Sequence, residues 1–164
     1  MITISEATFD DIKLIQDIAH QTWPLTYGEI LSKEQLDYML DAFYNEEVLK
    51  DSINNGHHFI LAKEEDEVLG FASYEHQYDQ KQQTKIHKIY ILQQTQGKGI
   101  GKKLINFIEI TAKENDSVSL LLNVNRYNKA LFFYQKIGFE ITTKVNIEIG
   151  HGYLMEDFVM EKKF

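Results

Sequence analysis

Three glycines at alternate positions, Gly97, Gly99 and Gly101, stand between a short apolar run and an amphipathic one. Glycine lets a backbone approach a ligand closely and take positive φ. The first N–H groups of a following helix lack partners, and the helix dipole favours negative charge there. The chemistry this arrangement suits is capture of an anion, phosphate above all. It is neither the GxxxxGK[ST] loop of nucleoside triphosphatases nor GxGxxG with an acidic ribose partner. A tight turn that merely packs a helix on a sheet is the plain structural alternative. Proton chemistry has candidates as well: His87, Glu75 and His76 can accept a proton, and the phenol of Tyr134 can donate one.

Periodicity supplies the elements that must hold these groups. Ile86, Ile89, Ile91 and Leu92 around Tyr90 read as a strand over residues 85–92, with His87 on the Ile89 and Ile91 face. Leu104, Ile105, Ile108 and Ala112 follow the glycines at helical spacing. Residues 2–7 read as a first strand. After the weak capping signal Thr8-x-x-Asp11 comes a helix with Ile12, Ile15, Ile18 and Ala19 inward. Proline disfavours helix in the residue before it, so this helix should stop before Trp23-Pro24 and leave residues 22–30 as a connection. Ser32-x-x-Gln35 is a capping box for a second helix, and Asn45 caps a short third one ending near Asn54-Asn55-Gly56.

Residues 57–63 and 67–78 read as a hairpin, and the polar residues 79–84 as a mobile loop. His57 and His58 have no third ligand at a recognisable metal spacing, so they read as ordinary strand-start residues and no metal is expected. Residues 118–124 form a strand, 129–137 a short helix, and 139–147 with 153–162 a final pair of strands. The order βααα–ββ–βα–βα–ββ suits an α/β (α+β) fold with a mixed, mainly antiparallel central sheet flanked by helices.

Gln96-x-x-Gly99-x-Gly101, directly after Ile89-Tyr90-Ile91, resembles the acetyl-coenzyme A pyrophosphate loop of the GNAT N-acetyltransferases. Leu122-x-Val124-x-x-x-Asn128, then Ala130, Tyr134 and Gly138-Phe139, look like that family's strand and helix around the pantetheine arm. The resemblance covers most of the chain and implies an acetyl-coenzyme A-dependent enzyme with a GNAT-like fold. It implies that the backbone of Gln96, Gly97, Lys98, Gly99, Ile100 and Gly101 takes the pyrophosphate, with charge from Lys98, Lys102 or Lys136. The backbone of Ile89, Tyr90 and Ile91 would pair with the pantetheine amides. Tyr134, which position alone would assign to the core beside Phe132 and Phe133, becomes the general acid. Trp23, Tyr27 and Glu29 become acceptor contacts. Two departures are visible. Asn128-Lys129-Ala130 is one residue shorter than the usual Asn-x-x-Ala, which leaves Asn128, Asn125 or Asn123 as the cofactor asparagine. Residues 84–92 hold no carboxylate, so His87, Glu75, His76 or a water relay must serve as base.

Length and composition agree with one domain over residues 1–164: 43% hydrophobic content can fill one core. There is no cysteine, which excludes disulfides and thiolate chemistry. No run of apolar residues is long enough to span a membrane and no leader is visible, so a cytoplasmic enzyme without a membrane partner is expected. The net charge of −8 is uneven. Residues 1–56 carry eleven carboxylates against three lysines, whereas residues 94–136 carry seven Lys and Arg against three acids. Solvated helix faces account for most of these charges. The split still suits a basic side for a polyphosphate and an acidic side for a cationic amine, and it argues against nucleic acid. The acidic third and the WPLTY stretch look like bacterial polyamine acetyltransferases, which makes a small polyamine such as spermidine the expected acceptor. A protein N-terminus or lysine, or a non-catalytic acyl-CoA-binding module, are the alternatives. A homodimer stays open.

Overall fold

A computed structural model describes residues 1–164. The elements run in order β1 (Ile2–Glu6), α1 (Ile12–Tyr27), α2 (Lys33–Tyr44), α3 (Glu46–Asn54), β2 (His57–Glu64) and β3 (Glu67–Glu75). Then come β4 (Gln83–Ile91), α4 (Ile100–Glu114), β5 (Ser119–Asn125), α5 (Ala130–Lys136), β6 (Glu140–Glu148) and β7 (Leu154–Lys163). This is the expected order. The seven strands form one sheet in the order β1-β2-β3-β4-β5-β7-β6, antiparallel except between β4 and β5. No helix is long and apolar enough to cross a membrane.

Strand alternation sends apolar side chains to both faces of the sheet. Ile60, Ala62, Ala72 and Ile86 pack under α4 against Leu104, Ile105 and Ile108. Phe59, Leu61 and Phe71 pack on the opposite face against Ile15, Trp23, Leu40 and Leu49 of α1–α3. The sheet is therefore covered on both sides.

The parallel pair is short. Only Gln83–Ile86 of β4 pairs with Ser119–Leu122 of β5. Past Ile86 the strands part, and β5 continues on β7 alone. The β4 edge from His87 to Ile91 is left without a neighbour. Leu92 N–H is committed to Leu69 O on the β3 side, so by alternation the peptide groups of Ile89 and Ile91 face the opening.

Several boundaries differ from the sequence reading, each for a local reason. Helix α1 does not stop before Trp23-Pro24 but runs through Pro24 to Tyr27, and Gly28 N–H donates to Pro24 O at 3.0 Å. Residues 22–27 are thus helix rather than connection. The bond that proline cannot make would go to His20 O, and His20 and Pro24 are both exposed, so water can serve that carbonyl. Burial of Trp23 on the same helix outweighs the local penalty. Strand β3 ends at Glu75 rather than at residue 78. The loop at residues 79–84 is shorter than expected, since a 3₁₀ turn at Tyr78–Gln80 leads into β4 at Gln83. Ser32 accepts from Gln35 N–H as a cap should, but Gln35 does not reciprocate and donates instead to Leu154 O at 2.9 Å.

The exposed proline gives a direct test of this account. Pro24→Ala restores one helical hydrogen bond while giving back some unfolded-chain entropy, so stability should rise by about 1–2 kcal/mol. Urea unfolding at unchanged m-value reads it; a lower midpoint would mean that α1 is bent at Pro24 by its packing rather than by the missing bond.

Candidate active site

The glycine turn forms as its residue types require. Gly97 has φ of 91° and Gly99, the residue before α4, has φ of 74°, a left-handed backbone that costs other residues energy. Nothing lies within 4 Å of where a Cβ would sit at either position. Lys103 N–H makes the first helical bond, to Gly99 O at 3.1 Å, which leaves the N–H groups of Ile100, Gly101 and Lys102 without helical partners. Gly101 serves packing instead: a Cβ there would meet Ile91 Cδ1 at 3.1 Å and Phe133 Cζ at 3.3 Å.

A cavity of about 830 Å³ extends from this turn along the open β4 edge to α5 and the end of α1. It gathers many of the residues expected from sequence: Gln96, Gly97, Gly99, Ile100, Gly101 and Lys102 at the turn, Ile89, Tyr90 and Ile91 on the strand, and Asn123, Asn128 and Tyr134 opposite. Tyr27, Glu29 and His87 complete the far end. Six expected residues lie outside its lining, His76 and Asn125 among them. Lys98 turns to Glu64 at 3.6 Å, Lys136 is exposed on α5, Trp23 is 4% exposed beneath Tyr27 and Tyr90, and Glu75 stands behind His87. Among the asparagines, Asn125 spends its side-chain oxygen on Tyr127 N–H at 2.9 Å. Asn128 accepts Ala130 N–H at 2.9 Å, capping α5 across the shortened spacing and leaving its amide N–H groups to donate.

The far end is a ring of phenols. Tyr27 and Tyr90 share a hydrogen bond of 2.9 Å between hydroxyls. Burial pushes Tyr27 up to about 12, against the lowering effect of that bond. Burial also raises Tyr134 well above the ordinary phenol value, and its hydroxyl has no hydrogen-bond partner in the protein. Tyr134 lines the cavity, and burial favours its protonated form.

His87 is not on the Ile89 and Ile91 face. A β-bulge intervenes: Ser73 pairs with Lys88 and Tyr74 with Ile86, so His87 is the extra residue. The bulge resets the alternation, putting Ile86, Ile89 and Ile91 under α4 while His87 turns to the α1–α3 side. There its Nε2 lies 3.0 Å from Glu75 Oε1, and its ring stacks on His57 at 4.3 Å between centroids. Burial lowers His87 well below the usual imidazole value, only partly offset by Glu75. In the neutral form that burial favours, Nε2–H donates to the carboxylate and Nδ1 is the nitrogen left to accept a proton. His57 is thus more than a strand-start residue. His76 lies on the opposite face, bonded through Nδ1 to Thr84 Oγ1 at 2.8 Å.

Sequence reasoning missed three contributors. Lys88 lines the large cavity and an adjoining one of about 220 Å³ walled by Trp23, Phe43, Tyr44 and Met155. Its ammonium sits 5.3 Å from the Tyr44 ring, and burial lowers it to about 8. A lysine between His87 and Ile89 in a largely apolar strand was its only sequence signal. Asp157 forms part of the small cavity; burial raises its carboxyl, opposed chiefly by the charge of Arg126. Lys129 adds a cation to the large cavity.

Open space above two glycines, unpaired N–H groups at a helix start and an unpartnered strand edge fit a diphosphate ester with an amide-bearing arm. Comparisons with known proteins point the same way. The GNAT acetyltransferase domain family matches residues 29–160. An uncharacterised N-acetyltransferase, YuaI of Bacillus subtilis, is 29% identical over 95% of this chain and 90% of its own length. A spermidine N1-acetyltransferase of Thermoplasma acidophilum is 26% identical over 99% of this chain and 98% of its own. The crystal structure of the PaiA N-acetyltransferase from Thermoplasma acidophilum, in complex with coenzyme A, superposes with a TM-score of 0.82 at 26% identity, covering 100% of this chain and 99% of that one. The expected cofactor and fold hold, and the chain belongs to the GNAT family as an acetyl-coenzyme A-dependent N-acetyltransferase.

Proposed function

We propose that this chain, as a single catalytic domain over residues 1–164, acetylates a small primary amine, with a polyamine the favoured acceptor. The observation that carries the reading is the cavity that joins an anion-binding helix start to candidate proton-transfer groups along one open strand edge. Acetyl-coenzyme A, when bound, would supply a thioester whose acetyl group passes to an amine, leaving a thiolate and a proton to be disposed of. The N–H groups after Gly99 hold the diphosphate, with Lys102 and Lys129 adding charge. The peptide groups of Ile89 and Ile91 pair with the pantetheine amides, and Asn128 or Asn123 donates to them from across the gap. Tyr134 Oη donates to the charge that grows on sulfur. His87 donates Nε2–H to Glu75 and accepts the amine proton at Nδ1, directly or through water.

The acceptor reading rests on two supports. Glu29 stands at the cavity's far end, and a relative of nearly equal length is a spermidine N1-acetyltransferase. The acidic helix surfaces themselves count for less. Asp17, Asp37 and Glu46 are tied to Lys13, Lys33 and Lys50 in exposed pairs one helical turn apart.

Three outcomes are expected. Gly99→Asn and Gly99→Asp bear similar backbone strain, since both side chains tolerate the left-handed region. Only the aspartate sets a charge against the diphosphate, so calorimetric titration should find coenzyme A binding at least about tenfold weaker in Gly99→Asp than in Gly99→Asn. Equal affinities would take the diphosphate away from this turn. Tyr134→Phe should lower kcat by ~10²–10⁴-fold with little change in coenzyme A affinity, the usual range for an acid–base group. Full turnover with chemistry rate-limiting would return Tyr134 to packing alone.

For the acceptor, a thiol-release assay with spermidine and an N-terminal peptide across a salt series decides. Screening shortens the reach of exposed charge to ~8 Å at physiological ionic strength. The spermidine KM should therefore rise with salt, and Glu29→Gln should raise it with less effect on kcat. Turnover of the peptide but not of spermidine would overturn the polyamine reading and leave the transfer chemistry standing.

A further inference from the structure

The small cavity adjoins the large one at the groups proposed for proton transfer. The two share Tyr27, His87, Lys88, Tyr90 and Asn123, so they meet where β4 and β5 have parted. Beyond that junction the small cavity lies between α1 and α2 on one side and β5 and β7 on the other. Gln35 donates to Leu154 O at 2.9 Å and Tyr38 to Ile149 O at 2.6 Å, which ties the β6–β7 turn to α2.

Asp157 is the single carboxylate on the wall of this cavity. The residue is only 3% exposed, and β7 sets it opposite Asn125, which lines the same space. A carboxylate so buried ordinarily has a cation paired with it. Arg126 lies near, but its N–H groups go to Asp157 O, Val145 O and Asn146 Oδ1, which leaves the carboxylate without an ion pair. The other charge on the wall, Lys88, comes from β4, on the far side of β5 in the sheet. Between the two charges the wall is largely apolar, with the rings of Trp23, Phe43 and Tyr44. We propose that Asp157 determines acceptor specificity, pairing with the second ammonium group of a compact diamine or polyamine whose first amine reacts at the junction. This deepens the polyamine reading and rests on it. A cavity of about 220 Å³ lies below the usual range for drug-sized ligands and suits a short aliphatic chain. Lys88 disfavours a cation at the reacting end while Asp157 favours one at the other, so a molecule with two amines is oriented as well as held.

Calorimetric titration of the full chain with 1,4-diaminobutane and with butylamine compares equal chains that differ by one charge. The diamine should bind at least about tenfold more tightly, the scale of a hydrogen bond between charged groups. That preference should persist at high salt, where the reach of exposed Glu29 is short. Asp157→Asn keeps the shape and should abolish the preference with coenzyme A affinity unchanged. In the thiol-release assay it should raise the diamine KM about tenfold and leave that of butylamine within about twofold. Equal binding of the two amines by the parent, or a preference that survives in Asp157→Asn, overturns the role of Asp157 and leaves the polyamine reading standing. Binding of neither amine, with turnover of an N-terminal peptide, overturns both.

Discussion

Everything functional in this molecule depends on β4 and β5 ceasing to pair after Ile86. A strand edge buried without hydrogen-bond partners is costly, because each peptide group taken from water unpaired loses about the worth of a hydrogen bond. The fold keeps that edge wet by holding a cavity against it. A ligand that carries amides in an extended chain completes the ladder as a neighbouring strand would. Two features make the opening. Parallel strands need a long crossover, which α4 supplies, and the crossover starts at the cavity's mouth. The unpaired helix start and the unpaired strand edge are thus consequences of one topological choice.

The second constraint is the bulge at His87. On the α4 side, Ile89 and Ile91 close the core and Ile91 meets Gly101, so that face has no space for a proton acceptor. One additional residue sends His87 to the face where Glu75 stands, without displacing the isoleucines. Packing and chemistry are served by opposite faces of a single strand.

How much of this is legible in the sequence follows from the range of each signal. The helices were readable because capping and periodicity are local: Asn45 caps α3 by accepting Val48 N–H, and Leu104, Ile105 and Ile108 face inward as their spacing says. The glycine turn was readable because positive φ selects glycine at Gly97 and Gly99. The bulge was not, since it is a mismatch between β3 and β4 and neither strand reveals it alone. The placement of His87 was therefore inverted, and the proximity of His57, sequence-distant on β2, stayed hidden. The break at Pro24 failed for the opposite reason: a correct local penalty was outweighed by burial of Trp23.

Lys88 ties the electrostatics together. The acceptor must arrive as an ammonium ion, which acidic groups attract, yet must react as a neutral amine. Those demands conflict if one charge serves both. Here they are separated in space. Glu29 stands on the cavity wall contributed by the end of α1, while Lys88 sits deeper, unpaired by any carboxylate, against Tyr44. Like charges close together in a dry site lower each other's proton affinity. On the proposed reading, an amine entering past Glu29 would come near Lys88, which burial lowers to about 8, and the like charge would favour loss of the amine's proton. This is why a cationic residue in the floor of an amine-binding cavity is consistent with an amine acceptor.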